Sequence, residues 1–246
     1  MAAGRVRVGG APAAKPAHLV DPGQPVEVVG PGPRFVGRGG EKLDAALDRF
    51  AVMVSGRRAL DAGASTGGFT DCLLQRGAAL VVAVDVGYGQ LHERLRSDAR
   101  VDVRDRVNVR TLDREVLGGP VDLVVADLSF ISLRTVLPVL VPLVEPGGDL
   151  VLLVKPQFEA GRQEAARGAG VIRDPEVWRR VLVEVAEVVA AQGADRMDVM
   201  PSPLTGADGN VEFLLHARRG TGAPGGGALD VDGAVAEALD RAGTER

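Results

Sequence analysis

Ala59-Leu60-Asp61-Ala62-Gly63-Ala64-Ser65-Thr66-Gly67-Gly68-Phe69 is the stretch that decides the fold. Its first three residues end a candidate strand, the glycines carry a tight turn, and a helix begins near Phe69. Glycine suits a turn where the backbone must pass close to a ligand or adopt φ > 0, and the N–H groups of the following helix end are free to meet an anion such as a carboxylate. The spacing Gly-x-x-x-Gly-Gly lacks the second glycine of the dinucleotide fingerprint. One strand later Val84-Asp85 puts a carboxylate at a strand tip, where ribose hydroxyls can be bound. The competing reading is a tight turn beside a solvent-facing Asp85.

Working outward, apolar runs predict strands at Arg58–Asp61, Leu80–Asp85, Val101–Val103, Val121–Asp127, Asp149–Val154, Met197–Met200 and Val211–His216. Helical spacing of Leu43, Ala46, Leu47 and Phe50 predicts a helix from Glu41 to Phe50. Further helices are expected at Phe69–Arg76, Gln90–Ser97, Ile131–Leu143 and Pro175–Gln192, the last opened by Asp174-Pro175, an N-cap followed by a first-turn proline. Strands alternating with helices imply an α/β fold with a mostly parallel, doubly wound sheet. The last two strands, joined by the turn-rich 201–209, form an antiparallel addition.

The chain has 246 residues, room for one sizeable α/β domain and a small appendage. Aromatic residues make up only 3%, so the core must be built from Val, Leu and Ala. Cys72 is the single cysteine, which excludes an intramolecular disulfide and a cysteine metal cluster, and His18, His92 and His216 are too scattered for a triad; no metal is expected. The apolar run Val136–Val144 is broken by Pro138 and Pro142 and is too short to span a bilayer. A cytoplasmic protein without a membrane partner is the expectation.

Net charge is −4, which speaks against indiscriminate nucleic-acid binding, but residues 1–42 hold six basic groups (Arg5, Arg7, Lys15, Arg34, Arg38, Lys42) against three acidic ones. That segment reads either as an RNA-facing patch or as a solvated basic surface. Expected boundaries are an N-terminal segment 1–30, a linker 31–36 containing Pro31-Gly32-Pro33, a main domain 37–219, and a flexible Gly-rich, acidic tail 220–246 with at best a marginal helix.

Four charged residues stand out. Asp127 and Lys155 end strands whose tips share the carboxyl edge with Gly63 and Asp85, the edge at which open α/β sheets bind ligands. Glu212 opens an antiparallel strand that returns to this edge, and Lys42 lies one position off the apolar stripe of the first helix. Each alone is a surface charge by default; together they form a neutralised pocket.

The segments Arg38-Gly39-Gly40-Glu41-Lys42-Leu43, Asp61 to Asp71, Asp127-Leu128-Ser129-Phe130-Ile131-Ser132, Val154-Lys155-Pro156-Gln157-Phe158-Glu159 and Gly209-Asn210-Val211-Glu212 resemble the TlyA family of ribosomal-RNA 2′-O-methyltransferases, some of whose members are called hemolysins. The resemblance covers about Phe35 to Arg218; Gly37 departs from it, standing where the family usually has serine. It implies a Rossmann-like class I methyltransferase fold related to FtsJ, with a seven-stranded sheet and helices on both faces. It implies S-adenosylmethionine as cofactor and a cytidine ribose in ribosomal RNA, free or in subunits, as substrate. The tetrad becomes Lys42, Asp127, Lys155 and Glu212. The cofactor set becomes Gly63, Ala64, Ser65, Thr66, Gly67, Gly68, Phe69, Asp85, Val86, Asp105 and Asp127. Arg5, Arg7, Lys15, Arg38, Arg162 and Arg167 are the candidate RNA contacts.

Residues 3–16 are similar to the latter half of an S4 RNA-binding domain without its two opening helices, so 1–33 are expected to be loosely held. In the implied reaction a ribose 2′-oxygen attacks the cofactor's methyl carbon in line, and the S–CH3 bond breaks as the thioether sulfur leaves with its electron pair. Lys155 is the candidate proton acceptor, its ammonium disfavoured by partial burial and by Lys42, with Asp127 and Glu212 orienting lysines and ribose. Residues 158–174, with Arg162, Arg167 and Arg173, read equally as a lid on RNA phosphates or as a solvated loop. Alternatives are a base methyltransferase, which usually shows an Asn/Asp-Pro-Pro-aromatic motif or a catalytic cysteine, a non-catalytic RNA-binding module, and a membrane-active hemolysin.

Overall fold

A computed structural model describes residues 5–13, 15, 17–30, 32–161, 164, 168–206, 208–221 and 228–244. The chain divides into two compact units, Met1–Arg34 and Phe35–Arg246. In the first, β1 (Val6–Val8) lies between β2 (Ala11–Pro12) and β3 (Val26–Val28), all antiparallel. Val26, Val28 and Leu19 of this small sheet unit are exposed.

The second unit is built on β4 (Arg58–Ala62), β5 (Leu80–Asp85), β6 (Val101–Asp105), β7 (Val121–Ala126), β8 (Val144–Val154), β9 (Ala194–Pro201) and β10 (Phe213–Arg219). These form one seven-stranded sheet in the order β6-β5-β4-β7-β8-β10-β9. The first five strands are parallel, and β10 runs antiparallel to both β8 and β9. The order therefore reverses at β4, whose neighbours are β5 and β7. Crossovers leave a parallel sheet on opposite sides at such a point, which opens a crevice at the strands' carboxyl ends.

Successive strand residues face opposite ways, and both faces are covered. Leu60, Val82 and Val124 pack under α5 (Leu133–Leu143), α7 (Pro175–Ala191) and α8 (Val231–Thr244). Ala59, Val81 and Leu123 pack under α1 (Gly39–Arg49), α2 (Gly68–Gln75) and the short α3 (Glu93–Arg96). Among the described residues there are also two single α-helical turns, α4 (Arg114–Leu117) and α6 (Pro156–Glu159), and a 3-10 turn at Val109–Thr111. Asp174 caps α7 as expected, accepting the Glu176 N–H at 2.9 Å. No described helix is long and apolar enough to cross a membrane.

Several expected boundaries shift, β8 starting at Val144 and β9 at Ala194 among them, and three differences bear on the site or the tail. The helix expected at Gln90–Ser97 shrinks to Glu93–Arg96, because His92 is extended (ψ 137°) and caps the helix, its ring accepting the Arg94 N–H at 3.2 Å. The strand expected at Val211–His216 starts two residues later, at Phe213, leaving Glu212 just ahead of it. The tail carries the docked helix α8, whose Ala234, Val235 and Ala238 are buried against β9 and α7, where a flexible segment with a marginal helix was expected. Removing apolar volume from that contact should be felt: Val235→Ala is expected to lower stability by about 1–2 kcal/mol in urea unfolding, and an unchanged midpoint would show α8 to be undocked in solution.

Candidate functional site

The crevice beside β4 holds two adjoining cavities. The larger, about 510 Å³, runs from Gly63 and Ser65 past Asp85 and Val86 to Asn108 and Ile131. The smaller, about 200 Å³, lies under Arg38 and Gly39 and reaches Phe69 and Lys155. Gly63, Ser65, Asp127 and Ser129 line both.

The glycine turn explains the shape. At Gly63, φ is +90°, and an added Cβ would lie 2.5 Å from the Asp127 carbonyl oxygen, so the β4 and β7 tips approach at backbone distance only with glycine here. At Gly68 an added Cβ would lie 2.9 Å from the Gly40 nitrogen. The N-termini of α1 and α2 thus meet through Gly39-Gly40 and Gly68, and Gly67, the N-cap of α2, offers no side chain to cap it. Thr70 in the first turn of α2 gives its N–H to Asp61, which leaves Gly68 and Phe69, both in the cavity lining, as the N–H groups for an anion. Asp85 takes the Ser65 N–H at 2.8 Å and the Gly87 N–H at 2.7 Å, which fixes its carboxylate at the cavity wall with lone pairs to spare.

The four charged residues resolve into two ion pairs. Lys155 Nζ lies 2.6 Å from Asp127 Oδ1 and donates to Ser129 Oγ at 3.1 Å, and all three residues line the smaller cavity. Lys42 pairs with Glu212, 170 positions away in the chain, and both are buried outside either cavity's lining. Lys42 is therefore matched by its own carboxylate, and Lys155 by Asp127.

Asp61, absent from the expected set, sits at the base of the turn. It is fully buried; Oδ2 accepts from Thr70 Oγ1 at 2.6 Å while Oδ1 has no partner. Burial is the main reason its carboxyl is pushed up to about 7, with the charges of Asp127 and Asp85 adding to it against the Thr70 hydrogen bond.

Of the expected cofactor residues, Gly63, Ala64, Ser65, Thr66, Gly68, Phe69, Asp85, Val86 and Asp127 line the cavities. Gly67 does not; its left-handed φ of +99° makes it the cap of α2. Asp105 also lies outside the lining, its carboxylate held by Arg96 at 2.7 Å and by the Gly89 N–H at 3.3 Å. Asn108 and Arg110 occupy that wall instead. Arg38 lines the smaller cavity, whereas Arg5, Arg7 and Lys15 belong to the other unit, and Arg162 and Arg167 fall outside the described residues. The loop read as a lid is tied at its far end, where buried Asn210 accepts the Ile172 N–H and donates to the Gly170 carbonyl, each at 2.9 Å.

Sequence reasoning also missed Phe130. It is 92% exposed, holds φ +64°, stacks at a tilt on Phe158 (centroids 5.3 Å apart) and lines the larger cavity. The only sequence signal was an aromatic residue inside the quoted Asp127–Ser132 motif.

Comparison with known proteins places this geometry. Residues 35–219 match the FtsJ-like methyltransferase family. The chain is 53% identical over 220 residues to the 16S/23S rRNA (cytidine-2′-O)-methyltransferase TlyA of Mycobacterium tuberculosis (strain CDC 1551 / Oshkosh), spanning 89% of this chain and 82% of that protein. A solved structure from Streptococcus thermophilus, described as a hemolysin, is 38% identical, with a TM-score of 0.85, over 99% of this chain and 90% of that one. The magnesium protoporphyrin IX methyltransferase (ChlM) of Synechocystis PCC 6803 shares the fold at 16% identity, with a TM-score of 0.54, over 74% of this chain and 82% of that one.

The two pairs should differ in what they hold up. Breaking the buried pair with Glu212→Ala strands Lys42 and is expected to cost about 3–5 kcal/mol in denaturant unfolding, most of it recovered by the apolar pair Lys42→Met/Glu212→Leu. Equal stability of Glu212→Ala and the parent would show the pair to be solvated.

Asp61 makes a pH prediction. The folded protein binds its proton more tightly than the unfolded chain, so its contribution to stability is full below its ordinary value of 3.8 and is lost as pH rises towards about 7. Asp61→Asn should therefore gain on the parent, in melting temperature, between pH 4 and pH 8. A pH-independent difference would contradict the buried, protonated carboxyl.

Proposed function

The chain belongs to the FtsJ-like methyltransferase family, and from that premise we propose that it moves the methyl group of S-adenosylmethionine to the 2′-oxygen of a cytidine ribose in ribosomal RNA. The observation that carries this reading is the Lys155–Asp127 pair on a wall shared with a nucleoside-sized cavity. The residues present fit the cofactor. Asp85 suits its ribose hydroxyls, the uncapped start of α2 its carboxylate, and Val86, Val107 and Ile131 the face of its adenine. When bound, S-adenosylmethionine supplies an electrophilic methyl group on a sulfonium, a leaving group that needs no acid.

The chain's own work lies in holding the hydroxyl and moving its proton. Two of the directions around Lys155 Nζ point to Asp127 and Ser129. The third is left for the ribose oxygen. Lys155 is the group placed to take the hydroxyl's proton, and Asp127 is already in place to stabilise the ammonium that results. Lys42 and Glu212, matched to each other, fix the start of α1 and the entry to β10 around this pair. Phe130, exposed at the cavity mouth, offers a face on which a base can stack. Arg38 at the site and Arg5, Arg7 and Lys15 in the N-terminal unit serve phosphate contacts, which position RNA without reading its sequence.

This reading also accounts for the charged residues better than membrane activity, for which buried lysine–carboxylate pairs have no use. The test is to incubate the protein with labelled S-adenosylmethionine and separate small subunits, large subunits or free ribosomal RNA, then analyse the nucleosides. Label is expected on ribose 2′-oxygen; label on a base would overturn the assignment. Lys155→Ala and Asp127→Ala, both at strand tips, should keep the fold and lose about 10²–10⁴-fold in turnover. Near-normal turnover by either would refute its assigned role.

A further inference from the structure

Lys155 is followed immediately by α6, and the last residue of that turn, Glu159, is a buried carboxylate that the chemistry above does not use. Its Oε1 accepts the Leu133 N–H at 2.6 Å, and its Oε2 accepts the Ser132 hydroxyl and Arg134 Nε, the latter at 3.3 Å. Arg134 returns a second contact, donating to the Glu159 carbonyl at 2.6 Å, and reaches Glu184 of α7 at 2.7 Å. We propose that Glu159 is a positioning residue for methyl transfer: by gripping Ser132 and Leu133 it holds α6, and through α6 Lys155, in register with Asp127 and Ser129. The proposal rests on the ribose-methylation reading.

The two segments, 127–133 and 155–159, are joined by three successive rungs. Lys155 meets Asp127 and Ser129, Phe158 stacks on Phe130, and Glu159 meets Ser132 and Leu133. The Lys155 carbonyl accepts the N–H groups of Phe158 at 2.9 Å and Glu159 at 3.2 Å, so the outer rung is coupled to the Lys155 backbone through one tight turn. Pairing of β7 with β8 fixes the backbone as far as Leu152 and Phe158 rests on Phe130, but beyond the sheet Glu159 supplies the hydrogen bonds from α6 to the opposite segment. Displacement of a reacting group by about 1 Å costs about a hundredfold in rate.

Capping of α5 accounts for only one of the contacts of Glu159, the Leu133 N–H on Oε1, and not for the Ser132 hydroxyl and Arg134 Nε on Oε2. Ser132 is itself the N-cap, accepting the Arg134 N–H at 3.1 Å. A carboxylate nearly removed from water is also an expensive way to hold two segments unless its charge-assisted bonds are needed. Three donors converge on it, and glutamine matches them poorly. Its oxygen can take the Leu133 N–H, but its amino group then faces Ser132 and the Arg134 guanidinium.

The test uses the full chain and whichever ribosomal subunit the parent protein methylates, with kcat and KM from labelled methyl transfer and cofactor affinity from calorimetric titration of S-adenosylmethionine. Glu159→Gln is expected to lower kcat about tenfold and Glu159→Ala about a hundredfold, with KM and cofactor affinity within about twofold of the parent. Ser132→Ala, which keeps the Leu133 contact, should fall less than Glu159→Gln. The proposal is overturned if Glu159→Ala binds cofactor normally and keeps kcat within about twofold, or if kcat and cofactor affinity fall together in the Gln and Ala variants, the mark of a general structural role. Should Glu159→Ala not fold, an unchanged kcat in Glu159→Gln is sufficient to overturn it. A parent protein that labels no ribose defeats the underlying reading instead, before any variant is compared, and the proposal falls with it.

Discussion

Charges withdrawn from water must be matched, and around the β4 tip this requirement organises the whole crevice. Lys42, Lys155, Asp127 and Glu212 come from a helix, two strand tips and the entry to a third strand. The chain brings them together as two closed pairs, one on the cavity wall and one behind it. The reversal of strand order at β4 places Asp127 and Lys155 at one edge, because β7 and β8 both run towards it in parallel. The close crossing of α1 and α2 at Gly40 and Gly68 brings Lys42 near enough to serve. A side chain at that crossing would push the helices apart.

The same arrangement separates two jobs. The Lys42–Glu212 pair is sealed and joins distant parts of the chain, so its main contribution is to the shape of the site. In the other pair Lys155 is also buried but Asp127 is partly open, and Ser129 gives Nζ a second fixed partner. Catalysis by positioning requires that such a group lose its freedom before the substrate arrives. A lysine is otherwise among the most mobile side chains, which makes the segments flanking Lys155 as consequential as its ion pair.

How much of this was legible in the sequence follows from the range of the interactions. Strands β4, β5 and β7 could be read because each is a short apolar run ended by an acidic residue, buried on both faces. Asp127 and Lys155 followed from their places at strand ends. The partnering of Lys42 with Glu212 did not, since nothing local links positions 170 residues apart. Asp105 and Asp85 look alike in sequence, yet Arg96 takes the first while the Ser65 and Gly87 N–H groups hold the second at the cavity. Helix α8 was underestimated because its apolar positions are few and follow a glycine-rich stretch; tertiary contact with β9 and α7, not propensity, is what secures it.

Aromatic scarcity gives the site its last distinguishing mark. The chain has six phenylalanines, one tryptophan and one tyrosine, and the sheet's two faces are packed almost entirely with Val, Leu and Ala. Trp178, Phe213, Phe35, Phe50 and Phe69 are buried. Phe130 is not, and it also holds a left-handed backbone conformation that costs a non-glycine residue about 1–3 kcal/mol. Core packing cannot repay that strain for a side chain so exposed. The residue lines the larger cavity and packs at a tilt on Phe158, one position beyond the serine that steadies Lys155. The strain, the exposure and the neighbouring ion pair thus meet at one place on the sheet edge.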